Sequence, residues 1–199
     1  MAGLVALCIS YVFSQFFRAF LAVLTNVLDR DLGMTATELA YASGAWFVAF
    51  ALFQFPVGML LDSKGPRLTA GVIFTIFCGG GAFLFAYATS PTMIIIAMAS
   101  IGIGCSPALM APVYIFVQNF SPVKFATLVS VFVGIGTLGN VASSEPLAIA
   151  VEMFGWRESA IILASASILV GLAILYFVVD PHKDKSDADT TGGLSLIHI

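Results

Sequence analysis

The sequence predicts an all-α membrane protein with six transmembrane helices, on three observations. Of its 199 residues, 60% are hydrophobic and only 10% charged, with a mean hydropathy of +1.04. A water-soluble core cannot hide that much apolar surface. Residues 39–61 and 68–123 contain no Asp, Glu, Lys or Arg, and an uncharged stretch of about twenty residues matches the hydrocarbon thickness at about 1.5 Å of rise per residue. These runs also lack the polar–apolar alternation of barrel strands. Lipid cannot hydrogen-bond a bare backbone, so helix is the conformation that remains.

The spans are expected at residues 4–24, 39–61, 68–87, 93–116, 125–146 and 159–179. The first has no basic region before it and no small-residue cleavage site. It is also too long for a signal-peptide core, so it counts as a helix. The stretch 68–123 is too long for one span. Thr89-Ser90-Pro91-Thr92 divides it, because Pro lacks an N–H and restrains the residue before it. Phe120-Ser121-Pro122-Val123-Lys124 makes the next break. Met153-Phe154-Gly155-Trp156-Arg157 reads as an interfacial turn with Trp at headgroup depth, and Asp180-Pro181 ends the last span. Residues 1–181 therefore form one bundle, and the polar, acidic residues 182–193 begin a flexible linker. The ending Leu194-Ser-Leu-Ile-His-Ile199 is what the codons CTG TCT CTT ATA CAC ATC encode. That string resembles the transposon-end adaptor of sequencing libraries. Residues 194–199 read as an artefact, with an apolar tail resting on the membrane as the alternative.

With six spans, both termini share one side. Lys64, Arg67, Lys124, Lys183 and Lys185 lie on that side, against Arg30 and Arg157 on the other, where Asp29, Asp31, Glu38, Glu152 and Glu158 also fall. The positive-inside rule then places both termini in the cytoplasm, in a multi-pass protein of the cell membrane. The net charge of −3 says little about partners. Cys8, Cys78 and Cys105 fall inside spans and read as small buried hydrophobes, with no metal spacing. His182 and His198 lie outside the spans. No Gly-rich phosphate loop and no nucleophile with a nearby base is visible, so the chain reads as a non-enzyme without a cofactor and without nucleic acid as a partner.

Arg18 is the most informative single residue. It lies inside the first span, flanked by Phe16, Phe17 and Phe20. A charge there is expensive, about 2.5–3.5 kcal/mol on insertion scales, and usually faces a cavity or a partner. Tyr11, Ser14, Gln15 and Arg18 recur at helical spacing and so share one face. A guanidinium fork, an amide and a phenol together suit a carboxylate or other oxyanion. The alternative is that Arg18 snorkels outward or pairs with an acid. Glu145 is the plausible partner; it is otherwise a proton-coupling carboxylate or an ordinary surface residue. Gly79, Gly80, Gly81, Gly102, Gly104, Gly134, Gly136 and Gly139 permit close helix packing, and those from 134 to 139 alternatively let the fifth span flex.

The decapeptide Gly58-Met-Leu-Leu-Asp62-Ser-Lys-Gly65-Pro-Arg67 joins the second and third spans as a tight polar turn. It resembles the signature loop of the major facilitator superfamily of secondary transporters: Gly, three residues, Asp, a basic residue, any residue, Gly, then basic residues. Gly58, Asp62, Gly65 and Arg67 match. Ser63 sits where a basic residue is usual, with Lys64 one place late, and Pro66 replaces another. The resemblance covers about residues 4–181 and implies the N-terminal six-helix bundle of that fold. The missing C-terminal half would then form the opposite wall of the solute cavity. It implies that Asp62 locks the cytoplasmic gate, with Arg67 as a partner within the loop and a helix N-terminus of the other half as a second. It further implies that helices 1, 2, 4 and 5 line the cavity. Tyr114 and Asn140 become solute contacts or, equally, interhelical hydrogen bonds. Gln118 and Asn119 sit low on the fourth span, and Trp46, Phe50 and Phe53 on the second serve packing or ligand contact.

The implied function is secondary active transport, as a symporter, of a small anionic organic solute by alternating access. One alternative is efflux of hydrophobic compounds. Drug antiporters of the superfamily usually carry an Arg before the Gly-x-Gly of helix 4 and a Gly-Pro pair in helix 5. Gly102-Ile-Gly104 lacks that Arg, and Gly134-Ile-Gly136-Thr-Leu-Gly139-Asn140 lacks that pair, with Pro146 well beyond it. The other alternative is an inactive truncated fragment.

Overall fold

The computed structural model describes residues 2–180, and every regular element among them is helical. The linker, the histidines, Lys183, Lys185 and residues 194–199 lie outside the described residues. Five helical segments are long and apolar enough to cross a membrane: Ala2–Leu32, Ala36–Ala86, Pro91–Asn119, Pro122–Phe154 and Trp156–Phe177. Six were expected; the difference lies in the second segment, and several boundaries also move.

Helix α1 (Ala2–Leu32) continues well past residue 24. Hydropathy measures hydrocarbon thickness, whereas a helix persists into the polar layer as long as its backbone ladder does. Helix α2 (Ala36–Ile73) opens on a capping box. The Thr35 hydroxyl accepts from the Glu38 N–H at 3.3 Å, and the Glu38 carboxylate accepts from the Thr35 N–H at 2.9 Å. The helix continues through a π-helical stretch, Phe74–Gly79, into α3 (Gly80–Ala86). A straight rod of 51 residues would reach roughly 77 Å. It is not straight: Gly65 has φ 82° and ψ 165°, and the rings of Phe53 and Phe77, on either side of it, lie 6.4 Å apart. The expected ten-residue loop is thus a helix that runs to Lys64, reverses at one glycine and resumes at Pro66. Gly65 takes a φ that other residues avoid, and Pro suits the first helical position after it.

The fourth span divides into α4 (Pro91–Cys105) and α5 (Pro107–Asn119). Pro107 lacks the N–H that would reach the Ile103 carbonyl. Ser106 supplies substitutes, its hydroxyl at 2.6 Å and its N–H at 3.1 Å. The fifth span runs on to Phe154 instead of ending near Pro146, in three pieces: α6 (Pro122–Gly136), α7 (Leu138–Ala142) and α8 (Glu145–Phe154). Ser144, at φ −95° and ψ −109°, breaks it before α8. Helix α9 (Trp156–Phe177) follows Gly155.

Backbone contact at glycines brings these rods together. A Cβ on Gly102 would strike the Trp46 carbonyl, one on Gly104 the Cys78 backbone, and one on Gly139 the Val12 carbonyl. Gly79 sits against Ile168 and Gly71 against Leu175, joining the third span to α9. Gly134 faces open space. At Gly136 and Gly139 the packing role holds, because Tyr11 and α1's backbone fill the space a side chain would need. The cysteines are buried or half-buried as expected, but Cys78 and Cys105 also meet, sulfur to sulfur at 4.0 Å. Trp46 stacks on Phe50 with centroids 5.1 Å apart, which is packing. One core cluster holds Phe17, Phe20, Phe85 and Trp156, and a second holds Leu7, Val57, Phe116 and Ile174.

Gly104→Val is expected to destabilise the bundle by about 1–3 kcal/mol through overpacking, whereas Gly134→Ala, with open space for its methyl, is expected to raise stability by up to about 1 kcal/mol. Thermal unfolding in detergent checks both; equal melting temperatures for the two variants would contradict the contact.

Candidate functional site

Two groups of side chains carry chemistry, one along α1 and one at the Gly65 reversal. On α1 the exposed residues Arg18, Ala22, Asn26 and Asp29 form a stripe, with half-buried Gln15 beside them, while Val5 and Ile9 are exposed on another side of the helix. The face expected to be shared by Tyr11, Ser14, Gln15 and Arg18 is divided. Tyr11 and Ser14 are buried, Gln15 is half-buried and Arg18 is exposed. The cause is α6–α7, which presses Gly136 onto the Tyr11 ring and Gly139 onto the backbone at Val12 and Phe16, covering the first part of that face and leaving the part that bears Arg18, two turns on, open.

Asn140 on α7 is half-buried and donates from Nδ2 to Gln15 Oε1 at 3.3 Å. Gln15 Nε2 in turn donates to the Tyr11 hydroxyl at 2.8 Å, and Tyr11 stacks on Phe132 of α6 with centroids 5.4 Å apart. Asn140 therefore makes the interhelical hydrogen bond, at the edge of the Arg18 stripe. Arg18 lies over the Phe47 ring of α2, its guanidinium carbon 5.5 Å from the centroid. That contact favours the cation electrostatically. Arg30 pairs with Asp31 at 3.1 Å. Arg18 and Glu145 do not pair, and Glu145 is exposed in the first turn of α8.

Tyr114 belongs elsewhere. With Gly58, Leu61, Asp62, Met110 and Gln118 it lines a cleft of about 390 Å³ between α2 and α5. A Cβ on Gly58 would meet the Met110 methyl at 3.7 Å, an ordinary contact, so α2–α5 packing does not require glycine there. Phe47 and Asp180 are site residues that the sequence did not single out. Asp180 Oδ1 accepts from the Arg67 backbone N–H at 2.8 Å, and its carboxylate fills the space where a Gly65 side chain would lie. Arg67 Nε donates to the Leu175 carbonyl at 2.6 Å, near the C-terminus of α9. A carboxylate thus caps the helix that restarts at Pro66, and a guanidinium caps the end of α9. The N-terminus of α1 is at the same end, where Gly3 abuts Phe177 and Val178.

The opposite end has its own fastening. Trp156 Nε1 donates to Asp31 Oδ2 at 2.9 Å. Arg157 lies over the Trp156 ring and donates to the carbonyls of Ala86 and Ala88 at 3.2 and 3.0 Å. The interfacial turn expected at residues 153–157 therefore ties α9 to α1 and to the end of α3.

Gly65→Ala is expected to lower stability by about 1–3 kcal/mol, since it forces a glycine-only conformation and displaces the Asp180 carboxylate. Asp180→Ala is expected to lose about 1 kcal/mol, the usual worth of a helix cap. Melting temperatures check both; an unchanged Asp180→Ala would show that the cap contributes nothing.

Comparison with known proteins supplies the wider setting. The family model described as Major Facilitator Superfamily matches residues 7–198. A "Probable L-galactonate transporter" of Escherichia coli (strain K12) is 26% identical over 164 residues, covering 80% of this chain and 35% of that protein. A hexuronate transporter of Bacillus subtilis (strain 168) is 27% identical over 176 residues, covering 79% of this chain and 40% of that one. A "Probable sulfoacetate transporter" of Cupriavidus necator is 22% identical, covering 96% of this chain and 44% of that protein. The chain thus spans well under half the length of these relatives. With its helical architecture and the Gly58–Asp62–Gly65–Arg67 reversal, the chain belongs to the Major Facilitator Superfamily.

Proposed function

We propose that this chain is one half of a secondary transporter for small organic anions and that it crosses the cell membrane six times, with Gly65 separating the second and third crossings. The observation that carries the solute class is Arg18 on the open stripe of α1. A face turned to lipid would be apolar within the span, yet this one carries Arg18 with Gln15 beside it. A guanidinium in hydrocarbon is costly, so the stripe faces a water-filled cavity closed on its far side by the other half of the transporter. There Arg18 offers a carboxylate two parallel N–H donors, with Phe47 supporting the guanidinium plane.

Galactonate, hexuronate and sulfoacetate, the solutes in the relatives' names, are all organic anions. This supports the anion reading over efflux of apolar compounds. The mechanism is alternating access: two bundles rock about a midplane site, driven by an ion gradient, with the solute bound directly and no enzymatic step. The end bearing the Gly65 reversal, Arg67 and Lys124 is cytoplasmic, and there Asp62 and Tyr114 line the cleft that the other half closes against. Glu145 is the candidate for proton coupling.

In a flux assay on the full-length gene product, Arg18→Gln is expected to lower carboxylate uptake by at least about tenfold, the effect of roughly 1.4 kcal/mol of lost binding. Unchanged uptake would contradict the anion reading. For sidedness, Lys64→Cys is expected to react with a membrane-impermeant maleimide only in inside-out vesicles. Labelling of intact cells would reverse the orientation.

A further inference from the structure

We infer that the Tyr11–Gln15–Asn140 chain selects hydroxylated carboxylates, reading hydroxyl groups while Arg18 holds the carboxylate. This rests on the anion reading above. The two amides and the phenol bring five N–H or O–H hydrogens and three acceptor oxygens. Only two hydrogen bonds form among them, running from Asn140 to Gln15 to Tyr11. One N–H of Gln15, one N–H of Asn140 and the Asn140 Oδ1 acceptor remain for a ligand, with buried Tyr11 holding Gln15 from behind. The orientations are held from both ends. Gly139 presses α7 onto the α1 backbone beside Gln15, and Phe132 stacks on Tyr11.

The decisive atom is Asn140 Oδ1. Among the described residues no donor serves it, and the residue is half-buried. A carboxylate carries acceptors alone and would leave that oxygen unpaired. A ligand that closes over the site must therefore bring a donor as well. Adjacent hydroxyls match the primary amide in bidentate fashion, one donating to Oδ1 and the other accepting from Nδ2. Gln15 and Arg18 are three residues apart on one helix, about 4.5 Å along its axis. A carboxylate and hydroxyls on a short carbon chain span that distance. A site built this way penalises an analogue lacking the hydroxyls, because its own polar groups lose their partners.

The test uses the full-length transporter in proteoliposomes and two matched pairs of probes: tartrate against succinate, and gluconate against hexanoate. Wild type is expected to take up the hydroxylated member of a pair at least about tenfold better, a modest fraction of what hydroxyl-reading sites achieve. Asn140→Leu is expected to bring the ratio to near one by losing the hydroxylated probe while keeping the other. Gln15→Leu moves it the same way. The ratio does not depend on how much protein reaches the membrane, and Asn140→Thr gives the same readout if the leucine variant fails to insert. A wild-type ratio near one, or a ratio unmoved by all these variants, overturns the inference while leaving the anion reading intact. Wild type that takes up none of the four probes overturns the anion reading itself, and this inference with it.

Discussion

Hydrocarbon offers no hydrogen bonds, so each crossing helix satisfies its own backbone and associates with its neighbours chiefly through van der Waals contact, with a few interhelical hydrogen bonds. In this bundle those contacts centre on glycines. Gly102 and Gly104 bring α4 against both limbs of the folded second segment, Gly71 and Gly79 bring the third span against α9, and Gly139 brings α7 against α1. The same solvent governs the irregular places. Where Pro107 removes a donor, the Ser106 hydroxyl serves the orphaned Ile103 carbonyl. Within the π-helical stretch, Ser100 donates to the Phe77 carbonyl at 2.9 Å.

Side chains obey the same constraint, and this links packing to function. The pressure of Gly136 and Gly139 on α1 buries Tyr11, fixes Gln15 between Tyr11 and Asn140, and leaves Arg18 open two turns beyond Tyr11 on the same face. Binding groups on rigid helices hold their geometry better than groups on loops. Both ends of the bundle are fastened too, by Asp180 and Arg67 at one and by Asp31, Trp156 and Arg157 at the other. A body fastened at both ends is suited to move as a unit.

Much of this was legible from residue type and spacing. The polar decapeptide 58–67 marked the connection between the second and third spans, and Arg18 among phenylalanines marked a candidate face. What was not legible depended on distant partners. Asp180 lies 113 residues from Arg67, and in sequence it marked only the end of a span. The periodicity of Tyr11, Ser14, Gln15 and Arg18 placed them on one helical side but could not say which part of it α7 would cover. Tyr114 was grouped with Asn140 through the family resemblance, yet the structure sets it beside Asp62. The break at Ser144 precedes Pro146 in the first turn of α8, whereas the break at Thr137 has no proline beside it.

The central claim is that the Arg18 stripe borders water and not lipid. Ala22 is exposed one turn along that stripe and provides the direct measurement. In the full-length protein, Ala22→Cys should react with a hydrophilic, anionic methanethiosulfonate reagent, and Arg18→Gln on the same background should slow that reaction. If Ala22→Cys resists the anionic reagent yet reacts with a lipid-soluble maleimide, the stripe faces the bilayer and Arg18 is no part of a solute pathway.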